Sequence, residues 1–112
     1  MYEYRAEVDR WVDGDTVDLV VDLGFTVHMR TRFRLLGVDT PEVNRRESRE
    51  AGLAATAFAE LCAPPGSTVV VESRKTGKYG RWLGTVYPLD AEGNRRDSVN
   101  ESLLEAGHAL PY

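Results

Sequence analysis

The chain has 112 residues, of which 42% are hydrophobic and 29% charged, a balance that predicts one globular domain spanning residues 1–112. A single cysteine, Cys62, excludes an internal disulfide framework, and the net charge of −4 argues against a general basic coat for nucleic acid. The first ten residues lack the apolar segment of a secretory signal, and no apolar run approaches membrane-spanning length. We therefore expect an intracellular monomer without membrane contact, although secretion of a processed form stays open.

Alternation with a period of two predicts three strands in the first third of the chain. Residues 4–8 indicate the first strand, and residues 16–37 indicate two more, joined as a hairpin near Gly24. The opposite face of the hairpin carries Arg30 and Arg32, for which a solvated strand surface is expected. The residues expected to face the core are Val17, Leu19, Val21, Leu23, Phe25, Val27, Met29, Phe33 and Leu35.

The period then lengthens at residues 48–62, which predicts an amphipathic helix. Two strands follow, STVVVES at residues 67–73 and WLGTVYPL at residues 82–89. A capping box at residues 98–101 predicts a second helix, which Gly107 ends. The residues of the first helix expected to face the core are Ala54, Ala57, Phe58 and Leu61.

The order of these elements predicts the fold class. Five short strands with one helix between the third and fourth, and a second helix at the end, suit a mainly β protein with helices (α+β). The specific expectation is a five-stranded barrel of the OB type with two helices. A two-layer α+β sandwich is the alternative architecture.

Three segments contain charged residues that could share one site. VDGDTV at residues 12–17 places two acids at a turn that enters a strand, and RLLGVDTPE at residues 34–42 places an arginine and two acids around a strand end. KYGR at residues 78–81 lies within a basic stretch. Taken alone, VDGDTV is more typical of a plain turn, RLLGVDTPE is also a common exit from a strand into a loop, and the basic stretch is about as typical of a solvated loop.

Together these segments contain oxygen ligands for a hard cation. Ca²⁺ binds carboxylates, backbone carbonyls and water. Asp15 and Asp39 are expected at the ends of different strands, and Thr40 offers an adjacent carbonyl. Other divalent metals, such as Mg²⁺ or Mn²⁺, could bind the same ligands.

The same segments contain groups that could cleave a phosphodiester. Glu42 lies on the loop after Asp39 and could accept or orient the proton of an attacking water. Arg34 and Arg81 could each bind phosphate oxygens with two hydrogen bonds and stabilise the charge that develops there. His28 lies outside all three segments, and the chemistry requires no histidine.

The motifs DGDTV, FRLLGVDTPE and KYGR resemble those of the staphylococcal (micrococcal) nuclease family, the thermonuclease-like domains. The resemblance includes the order and spacing of the motifs and extends from DGDTV to the closing EAGHALPY. It implies an OB-type barrel and a Ca²⁺-dependent endonuclease and exonuclease activity. The implied enzyme hydrolyses DNA and RNA with little sequence preference and leaves 3′-phosphate ends.

The resemblance assigns roles to residues by position. The ligands of one Ca²⁺ ion are Asp15, Asp39 and Thr40. The catalytic residues are Arg34, Glu42 and Arg81. The residues that line the nucleotide pocket are Lys78, Tyr79 and Tyr112. Asp13 is implied to support the metal ligands without binding the metal directly.

Some positions depart from the family pattern. Gly77 stands where an acidic residue often precedes KYGR, residues 43–50 form a shorter segment than in the secreted prototype, and the prototype's C-terminal helix is absent after Tyr112. None of these departures removes a catalytic position. The alternative function is a catalytically silent module that binds nucleic acid or protein on the same fold.

Overall fold

Five strands close into a barrel, with both helices packed outside it. The computed structural model describes residues 2–74 and 82–112. The barrel has the order β1-β2-β3-β6-β5, in which β3 and β6 pair in parallel and the other neighbours are antiparallel. The elements are β1 (Tyr2–Asp13), β2 (Thr16–Asp22), β3 (His28–Leu35), β4 (Val38–Asp39), α1 (Arg49–Cys62), β5 (Thr68–Arg74), β6 (Trp82–Pro88), α2 (Val99–Glu105) and β7 (Leu110–Pro111).

The closed sheet confirms the predicted OB-type barrel and excludes the sandwich alternative. Alternate residues of the strands point inward and form one apolar core, as a period of two requires. No helix among residues 2–74 and 82–112 is long and apolar enough to cross a membrane. The most deeply buried members of the barrel core are Val8, Val17, Leu19, Leu35, Val69, Val71 and Val86.

The tip of the β2–β3 hairpin departs from the predicted alternation. Phe25 is 97% exposed, Val27 and Met29 are more than half exposed, and Leu23 is 40% exposed, so the prediction that these four residues face the core is wrong. Within the described residues, β6 pairs with β3 only at Phe33–Leu35, so the earlier part of the hairpin extends past the barrel. Phe25 and Thr26 both have positive φ angles, a backbone conformation that costs free energy in residues other than glycine.

Helix α1 lies where the sequence predicts it but presents a different face. Its buried residues are Gly52, Ala55 and Ala59, whereas Leu61 is 82% exposed. The predicted inward set of Ala54, Ala57, Phe58 and Leu61 is therefore wrong, apart from Phe58, which is partly buried. Small side chains on the buried face let the helix approach the barrel backbone closely.

Helix α2 is fixed by a buried amide that the sequence analysis treated only as part of a capping box. Asn100 donates hydrogen bonds to the carbonyls of Leu36 (2.9 Å) and Gly84 (3.1 Å) and accepts one from the Val86 N–H (3.2 Å). The predicted cap is confirmed, because the Glu101 N–H donates to Ser98 Oγ at 3.1 Å. The amide of Asn100 thus joins α2 to β6 and to the turn between β3 and β4.

A second buried polar residue lies on the outer face of the barrel. Asp18 is only 2% exposed and receives two hydrogen bonds from Arg32, at 2.8 and 3.1 Å. Arg30 and Arg10 approach the same carboxylate at 3.1 and 3.6 Å. The expectation that Arg30 and Arg32 lie on a solvated face outside the core is confirmed, since both side chains are more than half exposed, but their contacts with Asp18 were not predicted. We refer to Arg10, Arg30 and Arg32 around Asp18 as the arginine cluster.

The Asp18→Asn variant is expected to unfold about 1–3 kcal/mol more easily at neutral pH, because its charge-assisted hydrogen bonds are lost. The hydrogen bonds from Arg32 hold the pKa of Asp18 below its usual value of 3.8. A lowered folded-state pKa means that the contribution is fully present above the unfolded pKa and is lost as pH falls through the folded value. Urea unfolding of both proteins between neutral and acidic pH measures this difference.

The gap in unfolding free energy between wild type and Asp18→Asn should therefore shrink as the solution is acidified below the unfolded pKa. Asp97→Asn, at an exposed position, is the matched control and should shift stability by less than about 0.5 kcal/mol. A gap that persists or grows in acid would contradict the role given to the Asp18 carboxylate.

Candidate active site

Four segments meet at one end of the barrel. The β1–β2 turn carries Asp15, whose carbonyl accepts a hydrogen bond from the Leu35 N–H at 2.8 Å. Strand β3 presents Arg34 on its outer face, opposite the inward-facing Phe33 and Leu35. The short strand β4 and the loop that follows it bring the remaining predicted residues beside this turn.

Arg34 joins two carboxylates that are far apart in the sequence. Its guanidinium lies 3.3 Å from Asp15 Oδ2 and 3.3 Å from Asp39 Oδ1. The side chain of Asp15 is 7% exposed and that of Asp39 is 52% exposed, so one carboxylate is buried and the other faces solvent. The arginine also donates to the Val38 carbonyl at 3.4 Å, which fixes it at the start of β4.

Thr40 lies against the buried carboxylate. Its backbone N–H donates to Asp15 Oδ2 at 3.1 Å, so the two predicted metal-ligand residues are in direct contact. The Thr40 side-chain hydroxyl is buried and has no hydrogen-bond partner among the described residues. A Cβ on Gly14 would lie 3.0 Å from Thr40 Cγ2 and 2.9 Å from Ala55 Cβ, which explains why glycine stands in this turn.

The chemistry of these donors fits a hard divalent cation. Asp15, Asp39 and the Thr40 carbonyl form an all-oxygen set, and an unpartnered hydroxyl lies next to it. Within residues 2–74 and 82–112, no group of three or more histidine, cysteine, aspartate or glutamate side chains is arranged to hold a metal ion. Any cation bound to the two carboxylates would therefore need water to complete its six to eight ligands.

Two further acids add negative charge to the site. Burial raises the pKa of Asp13 above its usual value, the nearby carboxylates of Asp15 and Glu42 add to the rise, and a backbone hydrogen bond from Val43 opposes it. Asp13 thus lies close to the predicted ligand Asp15. Four carboxylates (Asp13, Asp15, Asp39 and Glu42) against three guanidiniums (Arg34, Arg45 and Arg49) give this region a charge of −1. A bound cation would offset that charge.

The loop that carries Glu42 is held by the start of α1. Ser48 Oγ donates to the Glu42 carbonyl at 2.6 Å, and Arg49 Nε donates to the Val43 carbonyl at 3.3 Å. The Glu42 carboxylate is 56% exposed and forms an ion pair with Arg45 at 2.8 Å. The backbone at Glu42 is therefore fixed, while its side chain remains accessible to solvent.

Gly52 is a residue of this site that the sequence analysis missed. A Cβ at this position would lie 2.7 Å from the Pro41 carbonyl oxygen and 3.0 Å from the Glu42 carbonyl carbon. Because 2.7 Å is shorter than real Cβ contacts, a side chain here must displace the backbone of the Glu42 loop. A glycine inside a predicted helix is the only sequence signal for such a close approach.

The Gly52→Ala variant is expected to lose about 1–3 kcal/mol of stability, although alanine favours a helix, because the added methyl overlaps the Pro41 carbonyl. We also expect turnover to fall by about tenfold or more, since displacement of a catalytic group by a fraction of an ångström misaligns it. Thermal unfolding and single-turnover assays measure the two effects. Ala54→Ser, on the exposed side of α1, is the control, and equal behaviour of the two variants would contradict this packing.

Tyr112 covers Arg34 from the C-terminal side. Strand β7 pairs with β4, and the Tyr112 N–H donates to the Gly37 carbonyl at 3.0 Å. The Arg34 guanidinium carbon lies 4.9 Å from the centroid of the Tyr112 ring, within the range of a cation–π interaction. The ring itself is 83% exposed, so one face is open to a ligand.

A cavity of about 210 Å³ opens beside the two predicted ligands Asp39 and Thr40. Its other walls are Pro41 and the chain from Gly107 to Leu110. His108 in this wall packs on Phe58 with ring centroids 4.8 Å apart. The cavity therefore adjoins the carboxylate pair and is bounded by the segment that leads to Tyr112.

Three predicted residues, Lys78, Tyr79 and Arg81, lie outside the described residues. The strand after them begins at Trp82, which pairs with Phe33, the neighbour of Arg34 in β3. The structure brings together the predicted residues that it describes, namely Asp13, Asp15, Arg34, Asp39, Thr40, Glu42 and Tyr112.

The model of the staphylococcal nuclease homologue family matches residues 32–112, which is more than half of the chain. The chain belongs to the staphylococcal nuclease family. The closed mixed barrel with two helices agrees with this assignment, and the resemblance inferred from the three motifs is confirmed.

Named relatives of the family align with nearly the whole chain. Protein ParB of Escherichia coli is 33% identical over 115 residues, which cover 98% of this chain and 58% of that protein. Micrococcal nuclease of Shigella flexneri is 31% identical, with coverage of 98% and 59%. Endonuclease YhcR of Bacillus subtilis is 34% identical, with coverage of 98% and 9%. The chain therefore spans less than two thirds of the length of each of these relatives.

Proposed function

We propose that this domain is a divalent-metal-dependent nuclease that hydrolyses the phosphodiester bonds of DNA and RNA with little sequence preference. The observation that carries the proposal is Arg34 held between Asp15 and Asp39, beside the loop of Glu42. This arrangement combines an anion-binding guanidinium with oxygen ligands for a cation, and both are needed to bind a phosphodiester and stabilise its transition state. The names of two relatives, a micrococcal nuclease and an endonuclease, support the same reaction class.

Asp15, Asp39 and the Thr40 carbonyl would hold one Ca²⁺ ion, with water as the remaining ligands. When bound, the ion supplies charge that polarises the scissile phosphate. The contact between the Thr40 N–H and Asp15 orients the buried carboxylate before any ion arrives. Asp13 lies close to Asp15 and would support this metal ligand without binding the ion itself.

Arg34 would bind a non-bridging oxygen of the phosphate. Its side chain is 18% exposed and is fixed by two carboxylates, a carbonyl and the Tyr112 ring. A guanidinium fixed in this way loses little further conformational freedom when the substrate binds, and its planar geometry matches two phosphate oxygens. We assign Arg81 the same kind of contact from the other side of the phosphate.

Glu42 would accept the proton of the attacking water. The water oxygen forms a bond to phosphorus and the bond from phosphorus to the 5′-oxygen breaks. The 5′-oxygen takes a proton from solvent water and leaves as a hydroxyl. The products are a 3′-phosphate and a 5′-hydroxyl. The carboxylate of Glu42 is 56% exposed, so a water molecule can reach it.

The nucleoside next to the cleaved bond would lie against Tyr112, and Lys78 and Tyr79 would complete its pocket. The exposed face of the Tyr112 ring can stack on a base without selecting among bases. The substrate partner is thus single-stranded or locally opened DNA or RNA, and we propose that the domain acts as a monomer.

A digestion series tests the proposal. Single- and double-stranded DNA and RNA of matched sequence are incubated with Ca²⁺, Mg²⁺, Mn²⁺ or a chelator, and the product ends are identified. We expect cleavage with Ca²⁺, none with the chelator, and 3′-phosphate ends. If the folded protein binds these substrates as tightly as Glu42→Gln does and neither protein cleaves them, the domain is a binding module instead.

A further inference from the structure

The arginine cluster contains more cationic groups than Asp18 requires. Arg32 alone gives this carboxylate two hydrogen bonds, at 2.8 and 3.1 Å. Arg30 divides its guanidinium between Asp18 and Asp9, and Arg10 lies 3.6 Å from Asp18. Three guanidiniums against two carboxylates give the cluster a charge of +1.

The cluster is open to an external anion. The side chains of Arg10, Arg30 and Arg32 are 60%, 59% and 58% exposed, whereas that of Asp18 is 3% exposed. The buried carboxylate therefore holds the arginines side by side without covering them. Each guanidinium has five N–H donors in a fixed geometry, so donors remain available to phosphate oxygens.

The cluster is continuous with the proposed active site. Arg30, Arg32 and Arg34 are alternate residues of β3 and lie on the same outer face of the barrel. At the rise of a β-strand, Arg32 and Arg30 lie about 7 Å and about 14 Å from Arg34. A nucleic-acid strand that runs along β3 would therefore place neighbouring phosphates against these side chains.

The charges of the two regions differ in sign. The described part of the active site has a charge of −1, which a bound cation would offset. The cluster next to it attracts a polyanion without a metal. The face formed by the second and third strands is also a common nucleic-acid-binding surface of five-stranded barrels of this type.

We propose that the arginine cluster is a second phosphate-binding subsite, which holds the backbone of a nucleic-acid strand a few nucleotides from the bond cleaved beside Arg34. This inference rests on the proposed nuclease function for the position of the cleaved bond. Contacts of this kind are independent of sequence and weaken with salt, because binding releases the counterions of the phosphates.

The test compares two substrates that differ only in length. The first is a dithymidine monophosphate, which has a single phosphodiester, and the second is a 12-nucleotide thymidine strand. In Arg30→Gln, which keeps the paired hydrogen bonds between Arg32 and Asp18, we expect the ratio of kcat/KM for the long over the short substrate to fall about three- to tenfold. The salt dependence of binding to the long strand should decrease by about one phosphate contact.

Two further variants separate phosphate binding from a structural role. Arg10→Gln removes a second guanidinium of the cluster and leaves the paired hydrogen bonds between Arg32 and Asp18 in place, so it should also lower the ratio. Arg96→Gln makes the same charge change at an exposed position beside Cys62, at the other end of α1, and should leave the ratio at the wild-type value. A wild-type ratio in Arg10→Gln, or equal ratios in Arg30→Gln and Arg96→Gln, would overturn the proposal.

Failure of the nuclease proposal is distinguishable from failure of this one. If wild type cleaves neither substrate, the nuclease proposal fails, and fluorescence anisotropy of a labelled 12-nucleotide strand then decides the subsite. Selective weakening by Arg30→Gln in that assay would support the subsite, and equal affinities of wild type, Arg30→Gln and Arg96→Gln would overturn it.

Discussion

Replacing Glu42 by glutamine is expected to lower kcat by about 10²–10⁴-fold, the contribution typical of a positioned general base. The amide keeps the size of the side chain but cannot accept the proton of the attacking water. The loop itself should stay in place, because the hydrogen bond from Ser48 involves the Glu42 backbone carbonyl and not its side chain. Single-turnover cleavage of a labelled oligonucleotide with saturating Ca²⁺ measures the loss.

Glu47→Gln is the matched control for this prediction, because Glu47 is an exposed acid on the same loop. It should retain wild-type turnover. Binding of the oligonucleotide should be similar in both variants, since Glu42 acts on the water and makes no favourable contact with the phosphate. Turnover by Glu42→Gln within a few fold of wild type would exclude Glu42 as the base.

Replacing Arg34 by lysine is expected to lower kcat/KM by about 10²–10³-fold, although the charge is kept. An ammonium group cannot bind Asp15, Asp39 and the phosphate at once as the planar guanidinium can. The contact with the Tyr112 ring would be weakened as well. Steady-state kinetics on a single-stranded oligonucleotide, with circular dichroism to confirm folding, measure the effect.

Arg96→Lys is the control for a general effect of exchanging arginine for lysine, because Arg96 is exposed and distant from the site. It should behave as wild type. If Arg34→Lys also retains activity within a few fold of wild type, simple positive charge is sufficient at this position and the bidentate geometry has no role.

The barrel could be predicted because alternation reports directly on burial in a strand. Val17, Leu19, Phe33 and Leu35 are buried as the pattern requires. The same pattern failed at Phe25, because alternation cannot show where a hairpin extends beyond its neighbouring strands.

The face of α1 could not be predicted from its hydrophobic residues. The helix buries Gly52, Ala55 and Ala59, and leaves the larger Leu61 exposed. Helix α1 passes so close to the β1–β2 turn that only small side chains fit between them. The distance between the helix and the turn depends on the tertiary structure, which the sequence pattern does not show. The hydrophobic period therefore predicted the helix correctly but predicted the wrong buried face.

The candidate site was predictable to the extent that its residues lie in short motifs. The structure places Arg34, Asp39 and Thr40 next to Asp15, as the motifs suggested. The contacts that support these residues were not predicted, because they join segments that no local sequence pattern connects. One example is the close approach of Gly52 to the Pro41 carbonyl.

The central claim is that cleavage requires a cation bound by Asp15 and Asp39. The most direct test is the rate of cleavage of one labelled oligonucleotide as a function of Ca²⁺ concentration, for wild type and Asp39→Asn. We expect no cleavage with chelator and a half-saturating Ca²⁺ concentration at least about tenfold higher in Asp39→Asn. Cleavage that persists in chelator, or identical Ca²⁺ curves for the two proteins, would contradict it.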